Sequence, residues 1–276
     1  MGSKAERKEL SYSSFHTYED CPQRWKFLYV DGLKEAERPY FSFGRSMHMA
    51  LEAFVGPLTS PHRVRRQGQM SLFDFGAHPP SVHPMPLDDL LRCYRELWIR
   101  DGYGSEDEER KYFLIGTDLL RRFHSLYVAA PPQAIAVERD LSGKMGEIPI
   151  HGIIDRIDLH EEGGLEVVDY KTSRELSLGD AESSDQLTFY QVLVGQNYDR
   201  PVHKLTLYHL RSMRPLSTQP RGGKAIGDLT SRVGTVLDGM RRQAFEPKPG
   251  SQCRRCEFRP LCPAFHPEKA RKSETL

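Results

Sequence analysis

Several features that mark common protein classes are missing from this 276-residue sequence. No run of about 18 apolar residues occurs, so the sequence predicts no membrane-spanning helix. The formal net charge is +1, which argues against a histone-like protein that coats DNA through a strong basic field. No glycine-rich phosphate-binding motif is present, which argues against an oxidoreductase and against a helicase motor within this chain. The first residues are charged and lack the apolar region of a signal peptide, so we expect a cytoplasmic protein.

Cysteine is scarce, yet most of the cysteines fall into two short segments at opposite ends of the chain. Cys253, Cys256 and Cys262 form a C-x₂-C-x₅-C cluster, and Cys21 lies near the other end. Cys93 follows helical spacing among apolar residues, so we expect it to be buried in the core. The other four thiolates are enough to bind either zinc or an iron–sulfur cluster, and their spacing does not decide between the two.

Two short predicted strands deliver charged side chains. Asp155 lies on the strand Ile148–Leu159, and the next strand, Leu165–Lys171, ends with Asp169 and Lys171. Residues two apart on a strand face the same side, so Asp169 and Lys171 are expected to point together. Carboxylates that converge in this way favour a bound cation, and hard oxygen ligands favour Mg²⁺ or Mn²⁺. Such a site can polarise a phosphate and activate water.

Two predicted helices carry further polar residues at regular spacing. Gly44 and His48 are four residues apart on one helix, and Gln186 and Tyr190 are four apart on another. A lone histidine on a helix is more often structural than a metal ligand. Gln186 and Tyr190 could bind a phosphate or a base without charge, and the alternative is a helix cap beside a core tyrosine.

These motifs together resemble the PD-(D/E)XK nuclease superfamily, and most closely its RecB-like branch. Asp155 followed by Asp169 and Lys171 is similar to the D…(D/E)-x-K core, with Asp169 where the superfamily most often has glutamate. The Gly-x-x-x-His and Gln-x-x-x-Tyr helices occur in the same order as in that branch. A surface strand with a charge pair would explain a lone D-x-K, but it would not explain all four motifs in order.

The resemblance implies an α/β (α+β) fold with a restriction-endonuclease-like core, in which helices flank a mixed central sheet. It implies a single nuclease domain over residues 1–276, in which segments 10–30 and 245–266 are joined by a cysteine-ligated cluster. In the similar AddB-type and CRISPR-associated nucleases the group that joins these two segments is an iron–sulfur cluster. The resemblance therefore favours a 4Fe–4S cluster over zinc on four ligands: Cys21, Cys253, Cys256 and Cys262.

The activity implied by the resemblance is that of a Mg²⁺- or Mn²⁺-dependent DNA exonuclease. It would act on single-stranded DNA or DNA ends in repair or recombination, beside a separate helicase chain. The implied metal shell comprises Asp155, Asp169 and the backbone carbonyl of Tyr170, with His48 as a ligand or as the residue that orients one. Glu138, on the strand before, is either an additional metal ligand or a plain strand carboxylate. Lys171 would orient or deprotonate the attacking water or neutralise developing charge, and Gln186 and Tyr190 would hold the DNA strand.

The alternative is a catalytically silent iron–sulfur subunit that serves as a DNA-binding scaffold in a helicase–nuclease or CRISPR adaptation complex. The intact combination of Asp155, Asp169 and Lys171 argues against it.

Residues 56–86 are rich in glycine and proline and have no regular period, which predicts a long, flexible inserted loop. Within it, Gln69, Met70, Leu72 and Phe73 resemble the short Q-L-S-L-F-type peptide by which bacterial proteins dock on the DNA polymerase sliding clamp. Met70 replaces the usual leucine. The alternatives are that these apolar residues pack back onto the domain, or that they have no binding role.

Overall fold

The computed structural model describes residues 9–59 and 83–266. The described residues form two compact units. Unit 1 contains residues 9–36, Lys144–His151 and 226–266, and unit 2 contains the described residues between Glu37 and Gly143 together with Gly152–Ala225. Within the described ranges, no helix is long and apolar enough to cross a membrane. The motif predicted for sliding-clamp docking (Gln69, Met70, Leu72 and Phe73) lies outside the described residues, as does most of the predicted inserted loop.

The α-helices of the described residues are α1 (Tyr12–Asp20), α2 (Pro22–Tyr29), α3 (Pro39–Val55), α4 (Leu87–Glu96), α5 (Glu106–Ala129), α6 (Leu178–Glu182), α7 (Asp185–Asn197) and α8 (Gly223–Arg241). The strands are β1 (Leu10–Ser11), β2 (Ala134–Met145), β3 (Ile148–Leu159), β4 (Leu165–Lys171), β5 (Val202–His209) and β6 (Arg214–Thr218). Short 3₁₀ turns follow at Gly56–Leu58, Ser251–Arg254 and Arg259–Leu261.

The sheet of unit 2 is mixed, and β4 lies inside it. β4 pairs antiparallel with β3 and parallel with β5, β5 pairs antiparallel with β6, and β2 pairs with β3. Leu165, Val167 and Val168 are fully buried, as expected for a strand of a sheet that is covered on both faces. The predicted mixed central sheet is therefore confirmed.

Helices cover the sheet of unit 2, also as predicted. Side chains of α3, α4 and α5 form one hydrophobic core, which contains Met47, Phe54 and Leu120 together with the sheet residues Val168 and Tyr170. Helix α7 packs against β4 and β5. Successive side chains of β4 point to opposite faces of the sheet, so Tyr170 packs in this core and Asp169 lies on the other face.

Unit 1 brings its N-terminal helices against the segment that follows α8. The Trp25 ring stacks on Phe245 with centroids 5.6 Å apart, and the Tyr18 hydroxyl donates to the Ala244 carbonyl at 2.5 Å. The Gln252 amide also donates to the Asp20 carbonyl at 3.2 Å. These contacts join the chain around Cys21 to the segment that leads into the cysteine cluster.

Local signals set the helix boundaries at both ends of the described chain. α1 begins after Ser11, whose hydroxyl accepts from the Ser14 N–H at 3.2 Å. α1 and α2 are separate helices, because Pro22 follows Cys21 and lacks a backbone donor. Helix α8 starts at Gly223 and ends at Arg241. Helix α6 and strand β6 were not predicted, because each is only five residues long.

Candidate active site

The two central strands bring the predicted carboxylates and lysine together. Asp169 is 2% exposed, and its Oδ2 lies 2.6 Å from the Lys171 Nζ. Asp155 is also buried, and its Oδ2 accepts the Tyr170 N–H at 2.7 Å. The prediction that Asp169 and Lys171 share one side of β4 is confirmed.

Helix α3 supplies His48 to the same place. Its Nε2 lies 3.1 Å from the Tyr170 carbonyl oxygen, which can only accept, so Nε2 carries a proton. Its Nδ1 faces two carboxylates, with Asp155 Oδ2 at 3.5 Å and Glu138 Oε1 at 3.7 Å. A hydrogen bond from one ring nitrogen to a carbonyl is a common way to orient the other nitrogen towards a metal.

Gly44 lies where α3 comes near the end of β4. A Cβ at this position would lie 3.4 Å from the Thr172 Oγ1, which is an ordinary van der Waals distance. The approach of the helix to the strand therefore leaves room for an alanine at this position.

Glu138 reaches the site from β2 with an unusual backbone conformation. Its φ is +42°, which non-glycine residues seldom adopt. Such a conformation costs about 1–3 kcal/mol and is concentrated at functional sites, where the surrounding structure holds it. The strain is consistent with a carboxylate that is turned towards a specific position.

One group of atoms at this site suits a divalent cation. Single ligand atoms of His48, Glu138 and Asp155 all lie within 4.8 Å of one another. Two carboxylates and one imidazole fit Mg²⁺ or Mn²⁺, with other first-row metals as competitors. Two other predicted ligands face different partners, since Asp169 is paired with Lys171 and the Tyr170 carbonyl contacts His48.

The charges at the site are not balanced. Burial lowers the pKa of His48, but Asp155 and Glu138 outweigh this effect and raise that pKa to about 10. Burial raises the pKa of Asp169, where attraction to Lys171 opposes the shift and repulsion from Asp155 adds to it. The rise in the pKa of His48, and the part of the Asp169 shift that comes from Asp155, express carboxylate charge that a bound divalent cation would neutralise.

Helix α7 places Gln186 and Tyr190 beside the lysine. Lys171 Nζ donates to Gln186 Oε1 at 2.8 Å, and Gln186 Nε2 donates to the Tyr190 hydroxyl at 2.9 Å. Ser184 caps the helix, so Gln186 is not the cap, and Tyr190 is buried. Gly152 makes room for the tyrosine, because a Cβ there would lie 3.2 Å from its ring.

Cys21, Cys253, Cys256 and Cys262 all belong to unit 1. Burial raises the pKa of Cys256 and of Cys262, and the nearby thiols of Cys21 and Cys253 raise both further. The four thiols are therefore close enough to interact electrostatically. Cys93 belongs to unit 2, and it is half-buried, so the prediction that it lies buried in the core was wrong.

Sequence reasoning missed an exposed aromatic pair on α3. Tyr40 and Phe41 are 50% and 45% exposed, and their ring centroids lie 4.4 Å apart. Phe41 is seven residues before His48, so the two lie on one face of the helix about 10 Å apart along its axis. Aromatic side chains on a helix are usually buried in the core, so the sequence alone gave no sign that these two rings are exposed.

The chain is similar in sequence to one protein family and to curated proteins. The sequence model of one family, described as the PD-(D/E)XK nuclease superfamily, matches residues 9–263. One subunit of the ATP-dependent helicase/deoxyribonuclease of Streptococcus uberis is 25% identical over 174 residues, which are 60% of this chain and 14% of that protein. The chain thus spans about one seventh of the length of that relative.

Gene 69 protein of Mycobacterium phage L5 is 22% identical over 295 residues, which cover 92% of this chain and 96% of that protein. A crystal structure from Eubacterium rectale, described as a candidate exonuclease, covers 96% of this chain and 90% of its own with 11% identity and a TM-score of 0.49.

Proposed function

We propose, because the chain belongs to the PD-(D/E)XK nuclease superfamily, that it is a Mg²⁺- or Mn²⁺-dependent DNA nuclease. We propose further that it is an exonuclease acting on single strands or ends in DNA repair or recombination. The observation that carries the proposal is the convergence of His48, Glu138 and Asp155 next to the buried Asp169–Lys171 pair. The name of the streptococcal relative, which includes both helicase and deoxyribonuclease, supports DNA as the substrate and a separate helicase as a partner.

The proposed roles follow from the contacts of each side chain. His48, Glu138 and Asp155 would hold the cation, and small movements would bring in Asp169 or the Tyr170 carbonyl. When bound, the cation supplies Lewis acidity to a phosphodiester and lowers the pKa of water. Lys171, held between Asp169 and Gln186, would orient or deprotonate the attacking water or neutralise the negative charge that develops on the phosphate.

Two surfaces of unit 2 would hold the strand. Gln186 and Tyr190 would contact DNA beside Lys171 through neutral polar groups. The exposed rings of Tyr40 and Phe41 would stack on unpaired bases a few nucleotides from the cleaved bond. Every base has a π-face, so stacking of this kind tolerates any sequence and requires a single strand. This pair is the feature that favours single-stranded DNA over duplex.

The four cysteines of unit 1 are proposed to bind a 4Fe–4S cluster, with zinc as the competing metal. Backbone N–H groups of Phe258, Ala264 and Phe265 hydrogen bond to the sulfurs of Cys256 and Cys262, which tunes bound thiolates. The support for an iron–sulfur cluster over zinc is the resemblance in sequence: one cysteine in a Cys-Pro pair near one end of the chain and a C-x₂-C-x₅-C cluster near the other.

The sliding clamp is a second proposed partner, which would hold the nuclease at replication or repair sites. The support is the sequence of the Gln69–Phe73 segment alone. A binding assay with the host's clamp tests it, and the control is a triple variant, Gln69→Ala, Leu72→Ala and Phe73→Ala. Equal binding by the variant and the unaltered protein would refute the docking proposal. The nuclease proposal does not depend on this result.

The nuclease proposal is tested with protein purified without oxygen and DNA labelled at either end. We expect Mg²⁺ or Mn²⁺ to support progressive shortening of single strands from an end, and a chelator to stop it. Labels at the 5′ and 3′ ends give the polarity. Absence of cleavage with either ion, on both single- and double-stranded DNA, would refute the nuclease and favour the non-catalytic scaffold.

A further inference from the structure

We propose that His160, Glu162 and His203 form a binding site for a transition metal such as zinc. All three residues belong to unit 2, and none of them takes part in the site around Asp155. One ligand atom from each lies within 4.8 Å of the others. The three side chains come from the turn between β3 and β4 and from the first residues of β5, so no single stretch of sequence contains the site.

The turn between β3 and β4 is held by its own hydrogen bonds. The His160 N–H donates to the Gly164 carbonyl at 2.8 Å, and the Gly163 N–H donates back to the His160 carbonyl at 2.9 Å. Gly163 has a φ of +82°, which glycine adopts without strain. The Glu162 N–H also donates to the His160 Nδ1 at 3.3 Å. Two of the three proposed ligands are thus fixed on one short turn.

The ring of His203 is seated against this turn. A Cβ on Gly164 would lie 2.6 Å from the Cγ of the ring, so only glycine leaves space for the imidazole here. The Nδ1 atom of His203 is buried and, among the described residues, has no hydrogen-bond partner. Buried polar atoms are nearly always satisfied, so an unsatisfied ring nitrogen aimed at two other ligand groups points to a missing partner.

The distance between two of the ligand atoms matches that which a metal imposes. His203 Nδ1 lies 3.5 Å from Glu162 Oε2, which is long for a hydrogen bond. Tetrahedral zinc with bonds of about 2.0–2.2 Å separates its ligand atoms by about 3.3–3.6 Å. The rings of His160 and His203 are 5.7 Å apart at an interplanar angle of 75°, so they converge without stacking.

The ligand set also selects the metal. Two imidazoles and one carboxylate suit zinc, copper or nickel better than magnesium, which prefers oxygen. The metal would connect the β3–β4 turn to the start of β5. Strand β3 carries Asp155 and strand β4 carries Asp169. The inferred role is therefore structural: the metal would hold the turn between these two strands in place against β5.

The test is a zinc titration followed by the side-chain ¹⁵N signals of the histidines. Excess Mg²⁺ is present throughout, and His160→Gln and His203→Gln variants assign the two signals. We expect the signals of His160 and His203 to move together with one midpoint. Glu162→Gln should raise that zinc midpoint by about tenfold or more, because it removes a charged ligand.

Glu161→Gln is the matched control, since Glu161 is the exposed neighbour on the same turn. It should leave the midpoint unchanged, and zinc should raise the thermal unfolding temperature of this control more than that of Glu162→Gln. Zinc bound beside His48 would move the His48 signal, and zinc bound to the cysteines would move no histidine signal. Neither would distinguish the two glutamate variants. Separate midpoints for His160 and His203, or equal midpoints in the two glutamate variants, would overturn the proposal.

Discussion

At the scale of single residues, the candidate site is a small region in which negative charge exceeds positive charge. Asp155, Asp169 and Glu138 are opposed by Lys171 and by the ring of His48. The Tyr170 N–H holds Asp155, Lys171 pairs with Asp169, and the Tyr170 carbonyl accepts from His48.

The first prediction concerns Asp169. Asp169→Ala should abolish cleavage while DNA affinity stays equal or increases, because losing a carboxylate reduces repulsion of the phosphates. Single-turnover cleavage and equilibrium binding of labelled DNA measure the two effects, with the exposed Asp199→Ala as control. Turnover at a tenth of the unaltered rate or more would contradict the assigned site.

The second prediction concerns the stability of the metal-free protein as pH changes. The pKa of His48 is raised from 6.5 to about 10 in the folded state, so its charged ring stabilises that state. This contribution is complete below about pH 6.5 and is lost as the pH rises through about 10. Between about pH 7 and pH 10, the unaltered protein should therefore lose more unfolding free energy than His48→Gln. Urea titrations without divalent cations measure both, and equal losses would contradict the prediction.

At the scale of elements, α3 combines two parts of the proposed activity on one helical face. His48 belongs to the proposed metal site, and two turns earlier the rings of Tyr40 and Phe41 are exposed. Pro39 fixes the start of the helix and so fixes the position of the aromatic pair.

The third prediction is that Tyr40→Ala with Phe41→Ala weakens binding of single-stranded DNA by about tenfold or more, since stacking contributes about 1–3 kcal/mol per base. Duplex affinity should change little. Fluorescence anisotropy measures both, and Leu114→Ala, an equally exposed apolar change on α5, is the control. An equal loss for duplex and single strand would show that the rings do not stack on bases.

The elements also show which features the sequence could predict. Alternation along β4 predicted the shared side of Asp169 and Lys171, because strand geometry is local. The positive φ of Glu138 and the exposure of Tyr40 could not be predicted, since they depend on contacts between distant segments. The same holds for the pairing of Lys171 with Gln186, although the motif spacing placed both residues near the site.

At the scale of the whole molecule, the proposed cysteine cluster would join segments from opposite ends of the chain. Closing so long a loop removes much conformational freedom from the unfolded chain. The aromatic contacts of Trp25 and Tyr18 with the segment before Cys253 already bring these ends together in unit 1.

The fourth prediction follows from that closure. Protein purified without oxygen should contain iron and sulfide, and Cys21→Ser should lose the metal and unfold at a lower temperature. Cys93→Ser is the control and should keep the metal, because Cys93 belongs to unit 2. Stoichiometric zinc without iron would reverse the assignment, and metal loss from the Cys93 variant would show that the fourth ligand was misidentified.

Tyr170 connects the candidate site to the hydrophobic core of unit 2. Its backbone N–H holds Asp155, its carbonyl contacts His48, and its hydroxyl accepts from the buried Arg156 at 2.6 Å on the core side. Tyr170 therefore contacts the proposed catalytic groups through its main chain and the hydrophobic core through its side chain. A partly melted form of unit 2 could not keep an aligned site, so inactivation by denaturant should coincide with unfolding of this core and should not precede it.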